Sequence, residues 1–152
     1  VNHGIAGLGI SGEDVIYETG LRFFKLMQFD FGSTAMCLAA QKGLGKPDTI
    51  RTVSVATKFP RFARDYFYSR GVPIQIIKLN GSVELAPILG LAPYIVDLVE
   101  TGNTLRANNL EVVDTLKEIN VHLISNPSYY KLNYRRINSF VAALHKKEEP
   151  SE

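Results

Sequence analysis

Apolar positions along this chain fall into short runs broken by glycine, proline and small polar residues, and the spacing of the runs changes along its length. Ile5 to Ile10 reads as a strand, and Ser11 with Asp14 three residues on forms a capping box for a helix from Glu13. Leu21 to Phe31 alternates loosely and is rich in phenylalanine, which predicts a strand with Arg22 and Lys25 facing water. Thr34 to Ala40 is a continuous run of small apolar residues suited to a buried strand, with Cys37 as packing rather than chemistry. Gln41 to Asp48 is a glycine- and proline-containing loop, read as a crossing between lobes.

From Thr52 onward strand and helix alternate, which argues for a parallel or mixed sheet covered by helices. Thr52 to Ala56 is a strand, and Pro60 opens a helix that puts Phe62, Ala63, Tyr66 and Phe67 on one face and ends at Gly71. Ile74 to Leu79 is a strand, Val83 to Leu91 a short helix and Tyr94 to Val99 a buried strand. Leu110 to Ile119 and Val121 to Ser125 read as two antiparallel strands around Asn120, and Asn126-Pro127 breaks the sheet. A last helix, about Tyr134 to His145, carries Ile137, Phe140, Val141 and Leu144 at i, i+3, i+4, i+7, before a charged tail from Lys146 to Glu152 that should fray.

Glu100-Thr-Gly-Asn-Thr104 follows the apolar strand directly, and Leu105-Arg106-Ala107 can begin a helical turn. A strand, a small polar loop and a helix start present several backbone N–H groups to one anion. Gly102 lets the main chain approach a ligand closely, and Thr101 and Thr104 add hydroxyls. Asp97 and Glu100 beside such a loop repel a bare phosphate and suit a ligand that also brings hydroxyls or a metal. The loop therefore reads as a cradle for a phosphorylated sugar. The alternative is a turn capped by Thr101 or Asn103.

With 152 residues, 45% of them hydrophobic, the chain can bury one large core or two small ones. Its net charge of +2 gives no reason to expect nucleic acid or a membrane surface as partner. One cysteine excludes an internal disulfide framework and fits a reducing cytoplasm. No apolar run is long enough to span a bilayer. His3, His122 and His145 stand far apart and none has a ligand-spaced neighbour, so no metal-ligating side chain is singled out. Lys58, Arg61, Arg64 and Arg70 make a basic face that is read as solvated, except Lys58, which sits at a strand-to-helix turn where ligands of α/β sheets gather. Gly7-Leu-Gly9-Ile-Ser-Gly12 spells a dinucleotide fingerprint, but Gly4 interrupts the strand that should precede it, and the strand-and-cap reading is preferred.

The longer run Gly81-Ser-Val-Glu84, Gly90-Leu-Ala92, Ile95-Val-Asp97-Leu98 and Thr101-Gly-Asn-Thr104-Leu105 resembles the signature of the ATP phosphoribosyltransferases. The likeness extends from His3-Gly-Ile-Ala to Asn126-Pro127-Ser128. It implies an α/β fold of two lobes of mixed β-sheet flanked by helices, resembling the periplasmic-binding-protein type II architecture. Residues 1–40 plus 126–152 would form the first lobe and 41–125 the second, which carries the phosphoribosyl loop. Members usually read Ala-Asp-Leu-Gly-Ile near the start, where this chain has Gly7 in place of the aspartate, so any ligand contact made through that carboxylate is in question. Ala-Asn-Gly-Leu after the loop becomes Ala107-Asn-Asn109-Leu110, a mild change because asparagine tolerates the left-handed conformation.

The resemblance implies the first step of histidine biosynthesis, in which adenine N1 of ATP displaces pyrophosphate from phosphoribosyl pyrophosphate. Asp97, Glu100, Thr101, Gly102, Asn103 and Thr104 would bind phosphoribosyl pyrophosphate. Glu84 and Asp97 would be the catalytic carboxylates, and Ser82 and Lys58 would bind ATP. Glu84 also fits a purely structural role, as an acid in the first turn of its helix. Mg²⁺ would be the cofactor. The family pattern places an opening strand and helix before the point where this chain begins, and its ending matches the short form. That form implies a homodimer within a hetero-oligomer that includes a histidyl-tRNA-synthetase-like regulatory subunit. The rival expectations are a non-catalytic solute-binding module of periplasmic type and a nucleotide-dependent oxidoreductase using Gly7 to Gly12.

Overall fold

The computed structural model describes residues 1–148; the remainder of the charged tail lies outside the described residues. The chain divides into two compact units, Val1–Gly32 with Asn120–Glu152, and Ser33–Ile119. It passes from one to the other inside two long strands, β2 (Phe24–Gln41) and β6 (Leu110–Ser125). Each was expected as two shorter strands. In β2 the backbone turns through a left-handed Gly32 (φ 69°) without leaving the strand. In β6 a single asparagine is too short to reverse the chain, which needs two central residues at least, so Asn120 simply stays extended. The segment from Gln41 to Asp48, expected as a crossing, instead joins β2 to β3 (Val53–Thr57) within the second unit.

The first unit contains β1 (Leu8–Gly12), α1 (Glu13–Thr19), α4 (Pro127–Leu132) and α5 (Tyr134–Glu148) besides its parts of β2 and β6. Antiparallel pairing of β1 with β6 runs from Leu8 opposite Ser125 to Gly12 opposite Val121. That pairing draws Ser11 into the ladder, so the expected capping box does not form: Gly12 precedes α1, and no side chain caps it. Met27, Phe29 and Leu123 form a small core, against which Val141 and Leu144 of α5 pack. Ile137 of α5 is buried, whereas Phe140 is 47% exposed, so the apolar stripe is narrower than the spacing predicted. The helix α4 was not foreseen. Asn126 caps it, its Oδ1 accepting from the amides of Ser128 at 2.8 Å and Tyr129 at 3.3 Å, with Pro127 at the first helical position.

In the second unit the strand order is β6-β2-β5-β3-β4, with β4 at Ile74–Lys78 and β5 at Tyr94–Val99. The strand β5 runs antiparallel to β2, Ala35 opposite Val99, and parallel to β3, Ala56 opposite Ile95. Successive side chains of a strand point to opposite faces, and both faces here are covered. Leu38, Val55 and Val96 pack with Phe59, Phe62, Ala63 and Phe67 at the helix α2 (Pro60–Tyr68). Ala39, Ala56 and Ile95 pack on the other side with Val83, Ala86, Leu105 and Leu110. A strand buried on both faces reads as an unbroken apolar run, which is why Tyr94 to Val99 was legible. The helix expected from Val83 to Leu91 is only a 3₁₀ turn, Val83–Leu85, followed by turns. Pro87 has no N–H to continue a helical ladder, and Gly90 adopts φ 68°.

Candidate functional site

The edge where β3 and β5 end holds most of the chemistry. Thr57, fully buried at the end of β3, donates from Oγ1 to the Val96 carbonyl at 2.6 Å and accepts from the Phe59 amide at 2.9 Å. This hydroxyl fixes the turn into α2 and thereby the position of Lys58. The ammonium of Lys58 lies 3.2 Å from Asp97 Oδ1 on β5 and 5.2 Å from the centre of the Phe59 ring. Asp97 Oδ1 also accepts from the Leu98 amide at 2.8 Å. Its other oxygen has no protein partner among the described residues.

After β5 the chain enters the loop and then α3 (Asn103–Ala107). Gly102 is left-handed at φ 71°, a conformation that favours glycine. Neither Thr101 nor Asn103 caps the helix with its side chain, so the capped-turn alternative fails. Among the described residues, no protein acceptor is bonded to the amides of Thr101, Gly102, Asn103 or Thr104. Asn109 adopts φ 55°, the left-handed conformation anticipated for it.

Glu84, Asp97 and the loop from Glu100 to Thr104 line one cleft of about 280 Å³. The structure thus brings Glu84, Asp97, Glu100, Thr101, Gly102, Asn103 and Thr104 together, and the ion pair adds Lys58 at its margin. Ser82 does not line this cleft. It precedes the 3₁₀ turn and is left-handed at φ 50°, unusual for a serine. Three carboxylates line the same cleft as the loop, and one of them is balanced by Lys58. A donor set of this kind suits a ligand with both phosphate and hydroxyl groups.

Two side chains that sequence reasoning did not single out support the site. Thr57 gave no signal beyond being a strand-end threonine. Arg106 reaches back from α3 to the Thr101 carbonyl at 3.0 Å and to Asn103 Oδ1. In the first unit, buried His122 places Nε2 3.1 Å from Glu13 Oε1, which Lys25 also engages, tying β6, α1 and β2 together. Burial raises the thiol pKa of Cys37, whose sulfur lies 3.9 Å from Thr115 Oγ1, in keeping with a packing role. The stretch Gly7 to Gly12 is no dinucleotide loop, because Gly9 and Gly12 lie inside β1. A Cβ on Gly7 would fall 2.1 Å from Tyr129 Cε1, so the glycine makes room for that ring.

An α/β protein with a loop of unbonded amides at the end of a central strand is the class that fold and site define. The family model for ATP phosphoribosyltransferase matches residues 1–146, and the chain belongs to that family. The ATP phosphoribosyltransferase of Clostridioides difficile (strain 630) is 43% identical over 141 residues, which make up 93% of this chain and 68% of the relative. The solved ATP phosphoribosyl transferase (HisG:HisZ) complex from Thermotoga maritima superposes with a TM-score of 0.84 at 40% identity, over 95% of this chain and 71% of that one. The GluR0 ligand-binding core from Nostoc punctiforme, in complex with (L)-glutamate, aligns at TM-score 0.54 and 18% identity over 98% of this chain and 76% of that one. Likeness of this last kind shows the fold alone, the periplasmic-binding-protein type II architecture, and does not favour the solute-binding reading. No helix among the described residues is long and apolar enough to cross a membrane.

Proposed function

We propose that this chain binds phosphoribosyl pyrophosphate in the cleft at Glu84, Asp97 and Glu100–Thr104 and joins it to ATP, the first step of histidine biosynthesis. The observation that carries the reading is the run of uncommitted amides from Thr101 to Thr104 at the end of β5, in a chain of this family. Those amides and the Thr101 and Thr104 hydroxyls hold the 5-phosphate. Asp97 and Glu100 face the ribose hydroxyls or a metal ion carried by the substrate. Lys58 and Ser82 serve ATP, and Glu84 with Asp97 keeps the two substrates in register.

The lone pair of adenine N1 forms a bond to the anomeric carbon as the bond from that carbon to pyrophosphate breaks. The departing oxygen takes the electrons. Positive charge builds on the ribose ring between these events, and Asp97 and Glu84 stand close enough to the cleft to stabilise it. Adenine N1 already has a free lone pair, so no general base is needed. Most of the rate enhancement then comes from alignment of two anionic substrates.

Mg²⁺ fits this donor set as a substrate-borne ion. Hard carboxylate oxygens, the ligand type that Mg²⁺ takes, are present at Asp97, Glu84 and Glu100. The free oxygen of Asp97 and the Glu100 carboxylate would hold it, and when bound it supplies charge neutralisation on pyrophosphate. A free, buried Cys37 accords with a cytoplasmic location. A hetero-oligomer with a regulatory subunit accords with the solved Thermotoga maritima relative, which is a HisG:HisZ complex; within it the chain forms a homodimer and the regulatory subunit is histidyl-tRNA-synthetase-like.

The test is formation of phosphoribosyl-ATP from ATP and phosphoribosyl pyrophosphate, followed by its ultraviolet absorbance on the full chain with and without a regulatory subunit. Product that requires both substrates supports the reading. Tight binding of a small solute without any turnover in either arrangement would replace it with the solute-binding module.

A further inference from the structure

The loop that faces the cleft has a second side. Behind it lies a separate cavity of about 480 Å³, which shares Gly102 and Leu105 with the cleft and is lined also by Arg106, Lys42 and Glu111. Arg106 lines this rear cavity and not the cleft. Its Nη2 donates to the Thr101 carbonyl at 3.0 Å and to the side-chain oxygen of Asn103. Its Nη1 lies 3.3 Å from where a Cβ on Gly102 would be, so the guanidinium is pressed along the glycine as well.

The carbonyl of Thr101 and the N–H of Gly102 belong to one peptide unit. In a trans peptide these two groups point in opposite directions. A donor that holds the carbonyl on the rear side therefore turns the Gly102 N–H to the front. The same guanidinium occupies the acceptor atom of Asn103, which leaves that side chain its NH₂ group and makes it a donor toward an anion. Both bonds come from the two N–H groups of Nη2, whose directions are fixed in the guanidinium plane, whereas the hydrogens of an ammonium rotate at the end of a flexible stem.

We propose that Arg106 is a positioning residue for phosphoribosyl pyrophosphate: it clamps the 101–102 peptide from behind, so that the Gly102 amide and the Asn103 NH₂ are aimed at the phosphate before it arrives. This rests on the functional reading above. It assigns Arg106 no contact with substrate. Its effect passes through the orientation of groups that do make contact, and it is confined to one of the two substrates.

The experiment combines calorimetry with amide NMR on the full chain. Arg106→Ala weakens binding of phosphoribosyl pyrophosphate about tenfold, the effect of losing one well-aimed charged hydrogen bond, and leaves ATP affinity and the melting temperature unchanged. Arg106→Lys keeps the charge but behaves like the alanine variant, and added guanidinium restores the alanine variant. Lys42→Ala removes a cation from the same rear cavity without touching the loop, and leaves binding as it was. In the substrate-free protein the Gly102 amide gives one sharp resonance, which broadens in Arg106→Ala. Wild-type affinity in either Arg106 variant, or an unchanged Gly102 resonance in Arg106→Ala, overturns the clamp. A wild-type chain that binds no phosphoribosyl pyrophosphate overturns the functional reading instead, and the substrate-free spectra then still decide for or against the clamp.

Discussion

Gly7 to Gly12 and Glu100 to Thr104 are both short glycine-bearing stretches beside an apolar run, and on spacing alone the first is the better match to a phosphate-binding motif. Their backbones have opposite fates. Gly9 and Gly12 lie in β1, paired with Ile124 and Val121 of β6. The loop from Thr101 to Thr104 leaves the sheet, turns at a left-handed Gly102 and keeps its amides unoccupied. Gly7 is small because Tyr129 lies against it, whereas Gly102 is small because the chain must turn there and a guanidinium lies behind it. What makes a phosphate cradle is a set of free N–H groups held in place, and glycine spacing reports on this only when the strand has already ended.

Substitutions can test the contrast from both ends. The largest effect is expected from Gly102→Val, which puts a branched side chain into a left-handed position and against Arg106. Affinity for phosphoribosyl pyrophosphate should fall by on the order of a hundredfold or more, measured by calorimetry, while Gly9→Ala leaves it unchanged. Next comes Thr104→Ala, which removes one hydroxyl donor to the phosphate and should weaken binding by about 1.5–3 kcal/mol.

How far this was legible beforehand depended on where the determining contacts lie. The order of strand, loop and helix could be read because the three are consecutive in sequence, and the buried run from Tyr94 to Val99 marks the strand without help from distant residues. Arg106 could not be read, since its role exists only once α3 has turned it back over Thr101. The long strands were missed because Gly32 and Asn120 look like chain breaks, yet pairing with neighbouring strands carries the backbone through both. The helix α4 does leave a local signal, Asn126 before Pro127, which as a sequence fits a sheet break as well as a cap with a proline at the first helical position. Ser11 shows the reverse error: a plausible capping sequence lost to strand pairing that reaches Gly12. Lys58 was legible as the residue of the strand-to-helix turn, and the buried hydroxyl of Thr57 fixes that turn physically.

Smaller effects sharpen the comparison. Thr57→Val leaves the Phe59 amide without its buried acceptor and should cost about 1–3 kcal/mol of stability, read by denaturant unfolding. Gly7→Asp forces the Tyr129 ring aside and should cost about 1–3 kcal/mol. Paired with Tyr129→Ser, it should cost less than the two changes added separately. The Lys58–Asp97 pair is partly open to solvent, with side-chain exposures of 42% and 21%. Lys58→Ala should therefore change stability by no more than about 1 kcal/mol, while raising the KM for ATP in the activity assay.

The central claim, that the backbone amides of one loop and not the other receive the phosphate, can be read residue by residue. Phosphoribosyl pyrophosphate titrated into ¹⁵N-labelled protein should move the amide resonances of Thr101, Gly102, Asn103 and Thr104 in a saturable way, and leave those of Leu8 to Gly12 where they were. Saturable shifts at Leu8 to Gly12 with none from Thr101 to Thr104 would contradict the account.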